Sequence, residues 1–142
     1  MLFRSVCLKK VMTMVTKVVS VRPLKKGMSV SYGHTWTAKE DTTIAVLPVG
    51  YADGLLRSFA PRLKVLIGKK TYPIVGRICM DQCMVETGSD CINRWDDAVL
   101  FGDESCFGND CVVSAQELSC EAGTISYEVL TGITKRVPRV YI

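Results

Sequence analysis

The sequence predicts a mainly β fold: a small β-barrel-like domain with two short helices near the C-terminus. Three observations point there. Short β-branched apolar runs recur along most of the chain, glycine and proline clusters separate them, and the hydrophobic period changes only after Ser114. With 142 residues, the chain makes one ordinary domain, large enough to bury a real core.

Taken in order, residues 11 to 22 read as a strand because they are dominated by β-branched side chains, and residues 23 to 27 follow as a turn stopped by Pro23 and Gly27. Val30 to Tyr32 lead into Gly33. Thr42 to Val49 form an apolar run whose Pro48 confines it to an edge or an end, and Gly50-Tyr51-Ala52-Asp53-Gly54 is a tight connection bracketed by glycines. Leu63 to Ile67 and Tyr72 to Val75 flank Gly68-Lys69-Lys70-Thr71 as a hairpin. Ala98 to Phe101 and Val112-Val113 offer further strands. Ser114 to Glu117 is a capping box and Gly123 a stop, which brackets the first helix. A second helix begins at Thr124, with Ile125, Val129 and Ile133 on one face, Lys135-Arg136 near its end and Pro138 terminating it. An extended tail, Val140 to Ile142, closes the chain, and residues 1 to 10 read as an N-terminal extension or the remnant of a junction ahead of the domain at 11 to 142.

Composition excludes several classes. No apolar run approaches the length that crosses a bilayer, and apolar and charged fractions are those of a globular protein. The net charge is +4, and the eight basic residues from Arg4 to Lys39 meet no acid before Glu40; the β-branched content of that stretch makes it a basic-faced strand rather than a transit peptide. The seven cysteines form no C-x-x-C pair and have one histidine, His34, to assist, which argues against a metal site and for small buried hydrophobes in a reducing cytoplasm. There is no P-loop and no G-x-G-x-x-G.

Between two of the strands lies Gly76-Arg77-Ile78-Cys79-Met80-Asp81-Gln82-Cys83, which sets a cation, thiols, a thioether and an acid side by side. Arg77 and Asp81 cannot sit in a plain core strand; they must reach solvent, pair with each other, or face something charged in a cleft. Three tyrosines, Tyr32, Tyr51 and Tyr127, fall where glycine or a helix start would expose the ring. Arg57, Arg77 and Lys70 are candidate anion binders, since cationic side chains suit carboxylates. His34 has no Ser, Cys or Asp at triad spacing and reads as a partly exposed structural histidine. Asp53 and Asp81 lie far apart in sequence, so spacing gives no support to a carboxylate pair for acid–base work, and turn capping and an ion pair are their plain reading.

Five blocks then stand in a telling order: Ser31-Tyr32-Gly33 with Trp36-Thr37-Ala38, Gly50 to Gly54, Pro73 to Gln82, Thr124 to Glu128, and Arg136-Val137-Pro138-Arg139. Together, from about residue 11 to the end, they resemble the C-terminal domain of bacterial alanine racemase. The resemblance implies a fold-type III enzyme that uses pyridoxal phosphate (PLP), held mainly by an N-terminal (β/α)8 barrel, in a head-to-tail dimer where one subunit's barrel meets the other's C-terminal domain. The barrel supplies the cofactor's lysine, so this chain alone is expected to be inactive.

The same resemblance implies roles residue by residue. Tyr32 matches the catalytic tyrosine, one of two bases on opposite faces of the substrate. A free phenol titrates near ~10 and is a weak base at neutral pH, so such a role calls for a nearby cation or polarised hydrogen bond. Met80 matches the residue whose backbone N–H holds the substrate carboxylate, and Asp81 beside it orients the loop. Tyr127 matches the tyrosine that touches the cofactor phosphate, and Tyr51, Arg57 and Arg77 match residues lining the substrate's approach. His34 and Trp36 depart from the family's block, residues 91 to 111 match none of it closely, and serine stands beside alanine as a substrate. Expected partners are the barrel, a second subunit and a small amino acid, with no nucleic acid and no membrane. A competing reading is a β-barrel binding module for nucleic acid or protein, using the basic strand with Trp36 and Tyr32 as stacking rings. A third is an interaction domain without chemistry.

Overall fold

The computed structural model describes residues 11–60, 62–102 and 114–141. Within them lie nine strands: β1 (Met14–Lys17), β2 (Ser20–Leu24), β3 (Ser29–Val30), β4 (Trp36–Thr37), β5 (Thr42–Leu47), β6 (Lys64–Ile67), β7 (Lys70–Val75), β8 (Cys83–Glu86) and β9 (Asp97–Phe101). Two helices follow, α1 (Ala115–Ala122) and α2 (Ser126–Gly132). The expected N-terminal extension, the Val112-Val113 strand, and Cys7, Cys106 and Cys111 lie outside the described residues.

Seven strands form one antiparallel sheet in the order β1-β9-β6-β7-β8-β5-β2, and β3 and β4 pair as a separate small ribbon. The two ends of that order are neighbours in sequence. Val18 N–H bonds to Asp96 C=O on the β9 side, and Val19 N–H bonds to Val46 C=O on the β5 side. The single strand expected at 11 to 22 is therefore two, because the chain changes partner at Val18-Val19 and so curls the sheet toward a barrel. The turn expected at residues 23 to 27 also starts late. Pro23 lies inside β2, where its missing N–H is harmless because, among the described strands, β2 pairs only with β5.

β5 lies between β2 and β8 rather than at an edge, and Pro48 sits just past its end. The β6–β7 hairpin turns on Gly68-Lys69, with Ile67 opposite Lys70, so Lys70 and Thr71 belong to the strand. Gly68 takes the left-handed conformation at φ 62 that the sharp reversal needs.

The interior faces supply one core, which includes Val18, Leu47, Phe59, Leu63, Val65, Ile74, Ile78, Val85, Leu100 and Phe101. Leu118 of α1 and Val129 of α2 join that core, so the two helices pack onto the sheet. The capping box forms as expected: Ser114 Oγ accepts from Glu117 N–H at 3.1 Å, and Glu117 Oε2 accepts from Ser114 N–H at 2.8 Å. Gly123 ends α1 at φ 74.

The second helix is shorter than its periodicity suggests. Ile125 is an extended N-cap residue and 60% exposed, and the helix stops at Gly132 instead of running to Pro138. A tertiary contact captures its C-terminal end. Thr134 N–H bonds to Asp53 C=O at 3.1 Å, and Thr134 Oγ1 donates to Ala52 C=O at 2.9 Å, so those groups serve the 50–54 turn rather than another helical turn. Val129 and Ile133 remain the buried face.

Candidate functional site

The Gly50–Gly54 turn organises the region, and glycine spacing explains how. A Cβ on Gly50 would lie 2.2 Å from Cys79 O and 2.4 Å from Met80 O, and one on Gly54 would lie 2.4 Å from Gly132 O. Only glycine lets the backbones approach so closely. The turn is thus wedged between the Cys79–Gln82 loop and the end of α2. Asp53 caps it, with Oδ2 accepting from Gly50 N–H at 2.9 Å, and is 8% exposed.

Residues 76–82 form a loop between β7 and β8, closed by Cys79 N–H to Gln82 C=O at 2.9 Å, and Cys83 opens β8. Tyr51 N–H donates to Cys79 C=O at 3.1 Å, and Ala52 N–H donates to Met80 C=O at 3.0 Å. Cys79 C=O and Met80 N–H belong to one planar peptide unit and, in the trans form, point opposite ways. Holding the carbonyl against Tyr51 therefore aims Met80 N–H away from the turn. That N–H makes no hydrogen bond among the described residues, and the Met80 side chain is half exposed.

Arg77 and Asp81 do not pair. Asp81 Oδ1 accepts from Arg136 Nη2 at 2.6 Å, while Arg136 Nε lies 3.3 Å from Asp53 Oδ1. One guanidinium thus joins the two carboxylates. Asp81 foremost, then Asp53, hold the Arg136 pKa above its ordinary value, so the clamp stays charged. Sequence reasoning placed Arg136 near a helix end and in a family block but gave it no partner, because no local pattern reveals an ion pair across the fold.

Tyr32 opens a single 3-10 turn, Tyr32–His34, between β3 and β4, and its ring is 70% exposed. The backbone around it is strained. Ser31 stands at φ 66, ψ 177, a region otherwise left almost wholly to glycine, and His34 has φ 47. Ser31 Oγ donates to Arg77 C=O at 2.6 Å, and the Arg77 guanidinium comes within 3.4 Å of where a Cβ on Gly33 would sit. The loop bearing Tyr32 is therefore seated on the stretch that leads to Met80. The strain at Ser31 leaves no mark in the sequence.

The remaining candidates divide. Arg57 and Arg77 line one groove together with Thr35, Trp36, Ser58, Ala60 and Gly76. Tyr51 is exposed in the 50–54 turn, and Tyr127 is 73% exposed in the first turn of α2. His34 is exposed. Lys70 is no open anion site. Its Nζ contacts both oxygens of Asp90 at 2.9 and 3.1 Å, and Tyr72 Oη donates to Asp90 Oδ2 at 2.9 Å on the other side. Cys79 and Cys83 are buried as expected, but Cys91 and Cys120 are exposed. Burial, with Cys79 nearby, pushes the Cys83 thiol up to about 12. No metal-binding group of His, Cys, Asp and Glu occurs among the described residues.

A family profile described as "Alanine racemase, C-terminal domain" matches residues 11–141. The chain belongs to the alanine racemase C-terminal domain family. The match runs through residues 91 to 111, where sequence motifs gave no lead. An alanine racemase of Treponema denticola is 51% identical over 139 residues, covering 95% of this chain and 35% of that protein. One from Mycolicibacterium vanbaalenii is 45% identical over 137 residues, 95% of this chain and 34% of that protein. The alanine racemase structure from Bacillus anthracis with bound L-Ala-P superposes with a TM-score of 0.84 at 37% identity, over 92% of this chain and 32% of that one. The Streptomyces coelicolor enzyme gives 0.85 at 38% identity, over 92% and 33%.

The chain thus spans about a third of the length of the curated relatives it matches. Membership fixes the architecture: a mainly β, curled sheet with two helices, carried in those relatives as one part of a larger racemase. The binding-module reading is not favoured. In the basic stretch, Lys17 is paired with Asp97 and Lys25 with Asp41. No described helix is long and apolar enough to cross a membrane.

Proposed function

We propose that residues 11 to 142 are the C-terminal domain of a PLP-dependent alanine racemase that interconverts L- and D-alanine, the D-isomer serving peptidoglycan synthesis in the cytoplasm. The domain works against an N-terminal barrel, and the active site joins the barrel of one subunit to this domain of a second. The observation that carries the reading is the pairing of two outward-facing groups on one linked scaffold. Tyr32 presents an exposed phenol on a strained turn bonded to Arg77, and Met80, three residues later in the same loop, presents an uncommitted N–H.

The residues fit one side of the cofactor rather than a whole site. Tyr127 offers an exposed phenol that would touch the phosphate, whereas Lys70 is engaged by Asp90 and is no candidate for the cofactor's lysine. When bound, PLP supplies an electron sink that acidifies the substrate's α-proton.

This chain's part is then positional and acid–base. Met80 N–H holds the substrate carboxylate as one charge-assisted hydrogen bond, which needs no polar side chain at that position. Asp81 orients the loop. Tyr32 Oη takes or returns the α-proton on one face, a base of the barrel serving the other. The Arg77 guanidinium against Gly33 supplies positive charge beside that turn. Tyr51, Arg57 and Arg77 line the substrate's approach and limit it to small amino acids.

Tyr32→Phe in the full-length enzyme tests the assignment. Racemisation followed by circular dichroism of the amino acid should fall by roughly three orders of magnitude, since the proton acceptor is lost while the ring and its packing remain. A rate near that of the parent enzyme would refute Tyr32 as the base.

A further inference from the structure

We propose that Arg136, by clamping Asp53 and Asp81 together, is the positioning residue that aims Met80 N–H at the substrate carboxylate. The inference rests on the function proposed above and adds a residue from a distant part of the chain to its site.

The geometry runs through three links. Arg136 leaves the segment after α2 and contacts Asp53 Oδ1 at 3.3 Å through Nε and Asp81 Oδ1 at 2.6 Å through Nη2. Asp53 is the buried cap of the 50–54 turn, and its other oxygen holds Gly50 N–H. Asp81 directly follows Met80. The clamp therefore ties the turn that donates to the loop to the loop that receives.

Tyr51 N–H and Ala52 N–H come from the turn and fix the carbonyls on both sides of Met80, and the first of those carbonyls shares its peptide plane with Met80 N–H. Rotating that plane would turn the N–H off its target. Two amide hydrogen bonds join the loop's backbone to the turn, and neither engages the side chain of Asp81. The ionic bridge opposes lifting at the residue next to the amide that matters. Thr134, two residues before Arg136, anchors the same segment through Asp53 C=O and Ala52 C=O, so the guanidinium is delivered from a fixed base.

Arginine suits the task because its fork reaches two carboxylates at once, which a lysine point charge does not. Arg136 does not touch the substrate. Its effect should be confined to how well a carboxylate is held.

The test uses the full-length holoenzyme, with propionate as a carboxylate probe that carries no amine. Arg136→Ala should raise the propionate inhibition constant and the KM for alanine together, on the order of tenfold, while kcat falls by less than about threefold. Arg136→Lys should recover part of that loss. Hydrogen exchange at the Tyr51 and Ala52 amides should quicken in Arg136→Ala, which a general loss of stability would not confine to those two sites. Asp81→Asn, a milder change that keeps the loop's shape, should move both readouts in the same direction by less.

Inhibition by propionate within about twofold of the parent in both variants would overturn the proposal, because the carboxylate would then be held without the clamp. So would unchanged exchange at Tyr51 and Ala52. Tyr32→Phe in the same assays separates the two readings. Lost racemisation there with propionate inhibition unmoved by Arg136→Ala removes only the positioning role, whereas full activity of Tyr32→Phe removes the underlying function.

Discussion

Ser31 Oγ donates a 2.6 Å hydrogen bond to the carbonyl of Arg77, and this bond links the turn bearing Tyr32 to the loop bearing Met80. Ser31 accepts a backbone conformation that a side chain disfavours, at φ 66 and ψ 177, and the bond to Arg77 helps hold it there.

Ser31→Ala should therefore cost about 0.5–1.5 kcal/mol of stability, from the lost bond, without relieving the strain. In the full enzyme it should lower kcat by about tenfold, because the Tyr32 turn loses its tether. Ser31→Gly should restore most of the stability, since glycine adopts that backbone freely, yet leave kcat low. Urea unfolding with steady-state rates distinguishes these outcomes, and a kcat restored by glycine would show that the tether is dispensable.

Gly50→Ala should be far more damaging than its size suggests. The added methyl would lie within 2.4 Å of two backbone carbonyl oxygens, Cys79 O and Met80 O, which cannot swing aside as a side chain can. The expected loss is about 3 kcal/mol or more, read as a fall in the urea midpoint. A loss below about 1 kcal/mol would mean that the turn and the loop separate readily.

The Lys70–Asp90–Tyr72 cluster predicts pH dependence at both extremes. Lys70 foremost, then Tyr72, hold the Asp90 carboxyl below its ordinary 3.8, so its contribution to stability is present above that value and is lost as pH falls below it. Burial, then the Asp90 carboxylate, push the Tyr72 phenol up to about 12, so the native state keeps a proton that the unfolded chain releases near 10. Stability should consequently decline from pH 10 towards 12. Asp90→Asn should bring Tyr72 ionisation down, though not to the free value, since burial remains. Tyrosinate absorbance against pH checks this, and a Tyr72 titration unchanged by Asp90→Asn would contradict it.

The features legible in the sequence are the ones that local chemistry decides. The capping box at Ser114, the hairpin at Gly68 and the glycine-bracketed turn at residues 50 to 54 each declare themselves within five residues, because caps and turns are satisfied by near neighbours. The exposure of Tyr32, Tyr51 and Tyr127 followed from their glycine and helix-start settings. What stayed hidden depends on distant partners. The division of the first strand at Val18-Val19 depends on which strands it meets, and the early end of α2 depends on carbonyls of the 50–54 turn. Arg136 joins two aspartates that sit far apart in the chain. The strained backbone of Ser31 sits against Arg77 and Gly76, which lie more than forty residues away in the chain.

The change of partner at Val18-Val19 also bears on how the chain is made. β1 pairs with β9, the last of the described strands, so on the ribosome the first strand must wait until nearly the whole sheet has been synthesised. Closure is then the most non-local step, with the loop entropy of almost the full sheet to overcome, and it should be slow beside the β6–β7 hairpin. Until β9 emerges, the β-branched strand β1 lacks the partner it pairs with in the folded sheet, and it is the segment a holding chaperone would be expected to shield.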